Sequence, residues 1–242
     1  MTQAPARILL LGGTGFVGRH VCEKLTRMGS SMTVITRRAN QASAIQNLPR
    51  VTVIEGDVYN LEFLTQCMQK HDVVINLIAI LHGTPAAFEK AHVQLPQVIA
   101  QACQDSGVHR LIHISALGAS LTGPSEYQRS KARGEEIFKQ AGLELTLLQP
   151  SVIFGKEDKF LNLFAQLQSI TPIVPLAGAT TRFQAVWVED VANAIAQCVF
   201  NSDTAGKTYE LCGPEVFTLQ QLVQKSGQWA GIRQGKGRLV FG

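Results

Sequence analysis

Ile8-Leu9-Leu10-Leu11-Gly12-Gly13-Thr14-Gly15-Phe16-Val17-Gly18 is a short apolar run followed by glycines at G-x-x-G-x-x-G spacing. Ile8 to Leu11 reads as a buried parallel strand, and Phe16 opens a helix. A strand that turns this sharply into a helix directs free backbone N–H groups and the positive helix end at one point, which suits a pyrophosphate. Gly12 permits the turn, Gly15 admits the phosphates to the backbone, and Gly18 lets the helix pack closely. Thr14, Phe16 and Val17 complete the loop residues expected to contact a dinucleotide. A glycine triplet alone is a weak signal; its strand–turn–helix setting makes it a strong one.

Strand and helix patterns then alternate. A helix is expected to about Met28, with Gly29 as its stop, followed by strands at Met32–Thr36, Val51–Glu55, Asp72–Ile80 and Leu111–Ser115. A helical pattern from Phe88 to Cys103 contains Pro96, which is expected to kink it. Such alternation implies right-handed βαβ units, hence an α/β fold with a doubly wound parallel sheet (a Rossmann fold). The expected division is a nucleotide-binding domain over residues 1–154 and a small C-terminal lobe over 155–242, with 184–200 packing back on the core.

In this fold the ligand lies at the carboxyl ends of the strands, and an acidic residue ending the second strand pairs with the 2′-hydroxyl of NAD. Here Arg37-Arg38 stands at that place, a pair suited to clamp a 2′-phosphate, so NADP(H) is expected in preference to NAD(H). A solvated loop pair is the plain alternative. Asp57, followed by Val58, is placed to accept from the adenine amino group or to cap the helix from Leu61. Asn76 to Ala79 is expected to reach back to the glycine loop, making Leu77, Ile78 and Ala79 cofactor contacts, and Pro150 with Ile153 is expected beside the nicotinamide.

Gly123-Pro124-Ser125-Glu126-Tyr127-Gln128-Arg129-Ser130-Lys131 is the second informative stretch. Ser125 with Gln128 forms a capping box, so a helix begins here with Tyr127 and Lys131 one turn apart on one face. A phenol with an ordinary pKa of ~10 is a poor acid–base group at neutral pH. A neighbouring ammonium, helped by a cationic nicotinamide, lowers that value, so the pair can move the proton that accompanies hydride transfer, while Lys131 also holds ribose hydroxyls.

These segments resemble the short-chain dehydrogenase/reductase superfamily in its extended or atypical branch. The closer resemblance is to the NADP(H)-binding accessory-subunit family of respiratory complex I and its bacterial relatives. It is carried by residues 12–18, 73–78, 96–101, 127–135, 149–162 and 186–192, and it runs from the first strand to about Val223. The resemblance implies tight nucleotide binding, held structurally or as a redox sensor, with a respiratory or membrane-peripheral partner. An active oxidoreductase, epimerase or dehydratase using Tyr127 and Lys131 is the alternative. It also implies a helper hydroxyl near the end of the fifth strand, for which Ser115 is the candidate. The chain departs from the pattern in three ways. Ser115 is followed by Ala116-Leu117, His92 stands where an asparagine is expected, and the end from Gln234 to Gly242 matches nothing in the family and reads as truncated or altered.

The remaining patterns are structural. Phe160, Leu163, Phe164 and Leu167 fall at helical spacing and read as a lobe core, or else as a face for a quinone, lipid or partner. Arg182 and Gln184 suit either a pocket or the surface, Asp190 reads as a helix cap, Trp187 as packing at the lobe junction, and Arg233, Lys236 and Arg238 as solvated. The 242 residues are 45% hydrophobic and 17% charged, with a net charge of +4 and no Lys/Arg run long enough for a basic arm; nucleic acid is not an expected partner. Five scattered cysteines without a C-x-x-C pair suggest a reduced, cytoplasmic setting, and the histidines give no metal-ligand spacing. The first residues lack the apolar core of a signal peptide, and no stretch approaches the ~18 apolar residues of a membrane span. Membrane association is therefore expected only at the periphery, through a partner.

Overall fold

β1 (Arg7–Leu11) buries Ile8 to Leu11 completely, as a strand at the centre of a parallel sheet must. The structure, a computed structural model, describes residues 6–171 and 173–232 and the backbone of Leu239–Phe241. The readings of the first five residues and of Arg233, Lys236 and Arg238 lie outside the described residues.

In chain order follow α1 (Phe16–Arg27), β2 (Ser31–Thr36), β3 (Val51–Glu55), α2 (Leu61–Met68), β4 (Val73–Asn76) and α3 (Pro85–Glu89). After a π-helical turn at Lys90–Gln94 come α4 (Leu95–Ser106), β5 (Arg110–Ile114), α5 (Glu126–Gln140) and β6 (Glu144–Pro150). The rest is β7 (Ile153–Phe154), α6 (Leu161–Ile170), β8 (Ile173–Pro175), β9 (Arg182–Phe183), β10 (Val186–Trp187), α7 (Val188–Phe200), β11 (Lys207–Leu211), β12 (Phe217–Thr218), α8 (Leu219–Trp229) and β13 (Leu239–Phe241).

Seven strands form one sheet in the order β11-β6-β5-β4-β1-β2-β3, and the pairs β6–β5, β5–β4, β4–β1, β1–β2 and β2–β3 are all parallel. This is the expected doubly wound α/β fold. Strand order reverses between β1 and β4, so the crevice for a ligand opens where these two strands end. α2 and α4 cover one sheet face around Leu64, Met68, Ile99 and Cys103. Chain contacts divide the molecule into a unit running up to Pro150 joined by Glu189–Glu210, and a second unit of Ser151–Val188 with the chain from Leu211 onward.

Three local expectations are corrected. β4 stops at Asn76 rather than Ile80, because the Asn76 carboxamide oxygen accepts from Ile78 N–H (3.1 Å) and turns the chain out of the sheet. Pro96 does not interrupt its helix. The π-turn precedes it, with Leu95 N–H bonded to Lys90 O five residues back, and Pro96 falls in the first turn of α4, where its missing N–H is tolerated. Asp190 is no cap, since it lies inside the first turn of α7.

Within the second unit, Leu161, Ala185 and Leu222 pack with Phe154, Phe160, Phe183 and Phe217. Of the stripe on α6, Leu163 is instead 51% exposed, and Trp187, expected to pack, is 49% exposed. Arg182 is exposed, and Gln184 donates to Gly213 O (2.6 Å). Among the described residues no helix is long and apolar enough to cross a membrane.

Candidate functional site

Gly12 turns at φ +88°, a left-handed conformation, and a Cβ there would press on Leu77 C and Ile78 N at 3.2 Å. Leu77 N–H in turn bonds Leu11 O (2.9 Å), so the chain leaving β4 lies against the glycine turn, and Leu77 and Ile78 are brought beside it. At Gly18 a Cβ would stand 2.3 Å from Gly12 O, which makes glycine obligatory where α1 rests on the loop. Gly15 is the N-cap of α1 and offers no side-chain cap, leaving the N–H groups of the first turn, Phe16 to Gly18, free of side-chain partners. Backbone donors and the positive helix end therefore converge above β1 and the crevice.

Arg37 and Arg38 follow β2 and are exposed, and neither guanidinium has a hydrogen-bond or ion-pair partner among the described residues. Their backbone is fixed all the same. Arg38 N–H bonds Thr36 Oγ1, Thr36 Oγ1 donates to Arg38 O (3.1 Å), and Ala39 N–H donates to the Glu55 carboxylate at 2.7 Å. Asp57 does not cap α2. Its Oδ1 accepts from Tyr59 N–H (3.0 Å), while Asn60 caps the helix by accepting from Phe63 N–H (3.1 Å). Val58 is buried and joins the core cluster beneath.

Ser115 follows β5. Its N–H bonds Leu148 O, and its hydroxyl is buried without a hydrogen-bond partner among the described residues. α5 begins with the expected capping box of Ser125 and Gln128. Lys131 is 2% exposed, and its ammonium donates to Ile114 O at 2.8 Å. Burial pulls Lys131 down to about 8, with Glu135 opposing the shift. Burial raises the Tyr127 phenol above its ordinary value. Pro150 is buried at the end of β6, its carbonyl accepting from Leu117 N–H (3.0 Å). Ala79 is exposed in the turn after β4, and Ile153 lies in the second unit, where β7 pairs with Val186 and Trp187.

The structure adds side-chain ties that motif reading did not foresee. His92 is 3% exposed; its Nε2 accepts from Ile80 N–H (3.1 Å), and its Nδ1 meets Ser130 Oγ (2.9 Å). Asn76 Nδ2 faces Nδ1 of the buried His113 at 3.2 Å. Gly134 lets α5 cross the π-turn closely, for a Cβ would lie 2.2 Å from His92 O. The only sequence sign of this arrangement was a histidine at an asparagine position. No group of three or more His, Cys, Asp or Glu among the described residues is placed to hold a metal.

The residues present fit a dinucleotide: a glycine cradle that any Cβ would fill, an uncapped helix start, two cations without a partner among the described residues and the orphaned buried hydroxyl of Ser115. Sheet order and loop together define a dinucleotide-binding protein of the doubly wound class. The chain belongs to the NAD(P)H-binding family, whose pattern matches residues 12–202. Over 223 residues it is 37% identical to subunit 9 of the NADH dehydrogenase (ubiquinone) 1 alpha subcomplex of Mus musculus mitochondria, matching 89% of this chain and 59% of that protein. The chain thus spans about three fifths of that relative's length. A ceramide reductase of Caulobacter vibrioides is 29% identical over 99% of this chain and 72% of its own. By structure, dTDP-glucose 4,6-dehydratase DesIV of Streptomyces venezuelae, solved with NAD bound, superposes with a TM-score of 0.83 over 97% of this chain and 83% of its own. At 21% identity that likeness speaks for the fold alone.

Proposed function

We propose that this chain holds NADP(H) as a bound structural or redox-sensing group, in the manner of an accessory subunit of respiratory complex I. The observation that carries the NADP(H) preference is the exposed Arg37–Arg38 pair at the end of β2, whose guanidinium groups have no hydrogen-bond or ion-pair partner among the described residues. A 2′-phosphate there meets two cations on a backbone already fixed by Thr36 and Glu55. In this reading the loop Gly12–Thr14–Gly15 and the first-turn amides of Phe16, Val17 and Gly18 receive the pyrophosphate. Asp57 and Val58 border the adenine, Leu77 to Ala79 wall the crevice, and Lys131 holds ribose hydroxyls. Pro150 is assigned to the nicotinamide side. When bound, the nicotinamide supplies or accepts a hydride. The partner is a respiratory assembly that keeps the chain at the cytoplasmic periphery of the inner membrane.

The buried, partnerless Ser115 hydroxyl supports a second reading, an active reductase in which Tyr127 passes the proton, Lys131 assists and Ser115 steadies the substrate oxygen. The relative named ceramide reductase fits that alternative, and a carbonyl-bearing lipid is then the substrate class.

Titration of purified protein with NADPH and NADH tests the first reading, with NADPH expected to bind at least about tenfold tighter. Equal affinity, or tighter NADH binding, would refute the arginine argument. Oxidation of NADPH by the wild type on a carbonyl panel, lost in Tyr127→Phe, moves the assignment to the reductase. No turnover by either protein leaves the binding role standing.

A further inference from the structure

His92 belongs to neither the glycine loop nor the Tyr–Lys pair, yet it bonds to the segments that carry both. Its Nε2 accepts the Ile80 amide in the turn that walls the glycine loop. Its Nδ1 faces Ser130 Oγ, and that hydroxyl donates to Tyr127 O (3.0 Å) in the first turn of α5. Since Nε2 is occupied as an acceptor and the serine proton points to Tyr127 O, Nδ1 must carry the imidazole proton. The ring also stands edge-on to Tyr127 (centroids 5.6 Å, 77°) and tilted against Phe88 (5.6 Å). Burial, with the Lys131 ammonium nearby, pushes His92 down to about 4, consistent with a neutral ring. Gly134 and the π-turn let α5 come close enough for these bonds to form.

We infer that His92 is a positioning residue that ties the Leu77–Ile80 turn to the first turn of the helix bearing Tyr127, so that the dinucleotide wall and the tyrosine are set as one piece. Its bearing on dinucleotide affinity rests on the reading proposed above; the tie itself does not.

His92→Phe keeps a ring against Phe88 and Tyr127 while deleting both hydrogen bonds, and His92→Gln restores one acceptor and one donor. NADPH affinity should fall about tenfold in His92→Phe and recover to within about threefold of wild type in His92→Gln. Nitrogen-15 spectra of the wild-type imidazole should show the Nδ1–H tautomer, and the Ile80 amide should lose hydrogen-exchange protection in His92→Phe. Wild-type affinity in His92→Phe, an Nε2–H tautomer, or unchanged Ile80 protection each overturns the inference. A residue that only fills space would lower melting temperature without moving the tautomer or the Ile80 amide. Where His92→Phe fails to fold, Ser130→Ala serves instead. It removes one leg of the tie and should weaken NADPH binding several-fold while the Ile80 amide still holds the Nδ1–H tautomer; wild-type affinity there, or a change of tautomer, counts against the inference. If the wild type binds no dinucleotide, the proposed function falls, while the tautomer and exchange measurements still decide on the tie.

Discussion

Arg37–Arg38 and Lys131 are cations of the same unit built in opposite ways. The arginines stand in solvent with no side-chain partner among the described residues, on a turn held only through its backbone. Lys131 is almost fully buried, spends a donor on Ile114 O and is pulled down to about 8. A guanidinium stays charged in any setting, so exposure is no cost to it; a buried ammonium is held charged only by what surrounds it. On the proposed reading, the arginines are ready for a phosphate before a ligand arrives, whereas the Tyr127 phenol is shifted away from ionisation. That asymmetry favours holding a dinucleotide over turning it over.

The strongest way to break the comparison is to attack the dinucleotide end. Gly18→Val places a side chain against Gly12 O, where even a Cβ would come to 2.3 Å. Overpacking at this point should weaken NADPH and NADH alike by about a hundredfold, read by fluorescence titration beside a melting curve. Undiminished binding would mean that the loop is not the phosphate cradle. Next in size, Arg37→Gln with Arg38→Gln should cost NADPH about twentyfold while leaving NADH within about twofold, because only the 2′-phosphate distinguishes the two. A parallel loss for both cofactors would show the arginines acting through the general field.

Legibility in the sequence follows the same line. The glycine loop, the doubly wound order and the capping box of α5 could all be read, because each rests on a local rule of backbone geometry. The end of β4 was missed because an asparagine side chain, invisible to strand periodicity, turns the chain at Ile78. Pro96 misled in the same way: the proline is local, but the π-turn that absorbs it is matched to Gly134, some forty positions away in the chain. The opposing effect of burial on Tyr127 and Lys131 could not be read, since spacing shows a lysine one turn away but not how deeply both groups are buried. Side-chain ties between distant segments, such as His92 with Ile80 and Ser130, carry no periodic signal.

The smallest expected effect sharpens the other half of the comparison. In the folded chain Lys131 titrates at about 8, below its ordinary 10.5, so between these values the unfolded chain binds more protons and stability must rise with pH. The rise attributable to this group should be about 1 kcal/mol between pH 8 and pH 9. Buried Cys22 and Cys103, pushed up to about 12, act in the opposite sense above their ordinary 9, and the raised Tyr127 does so above 10. The wild-type curve alone therefore mixes these signs. Lys131→Met removes one contribution and leaves the rest, so the wild type minus variant difference in denaturant stability should slope upward across this window. A flat difference would show that the lysine keeps its ordinary pKa in the folded chain, and the two kinds of cation would then be alike.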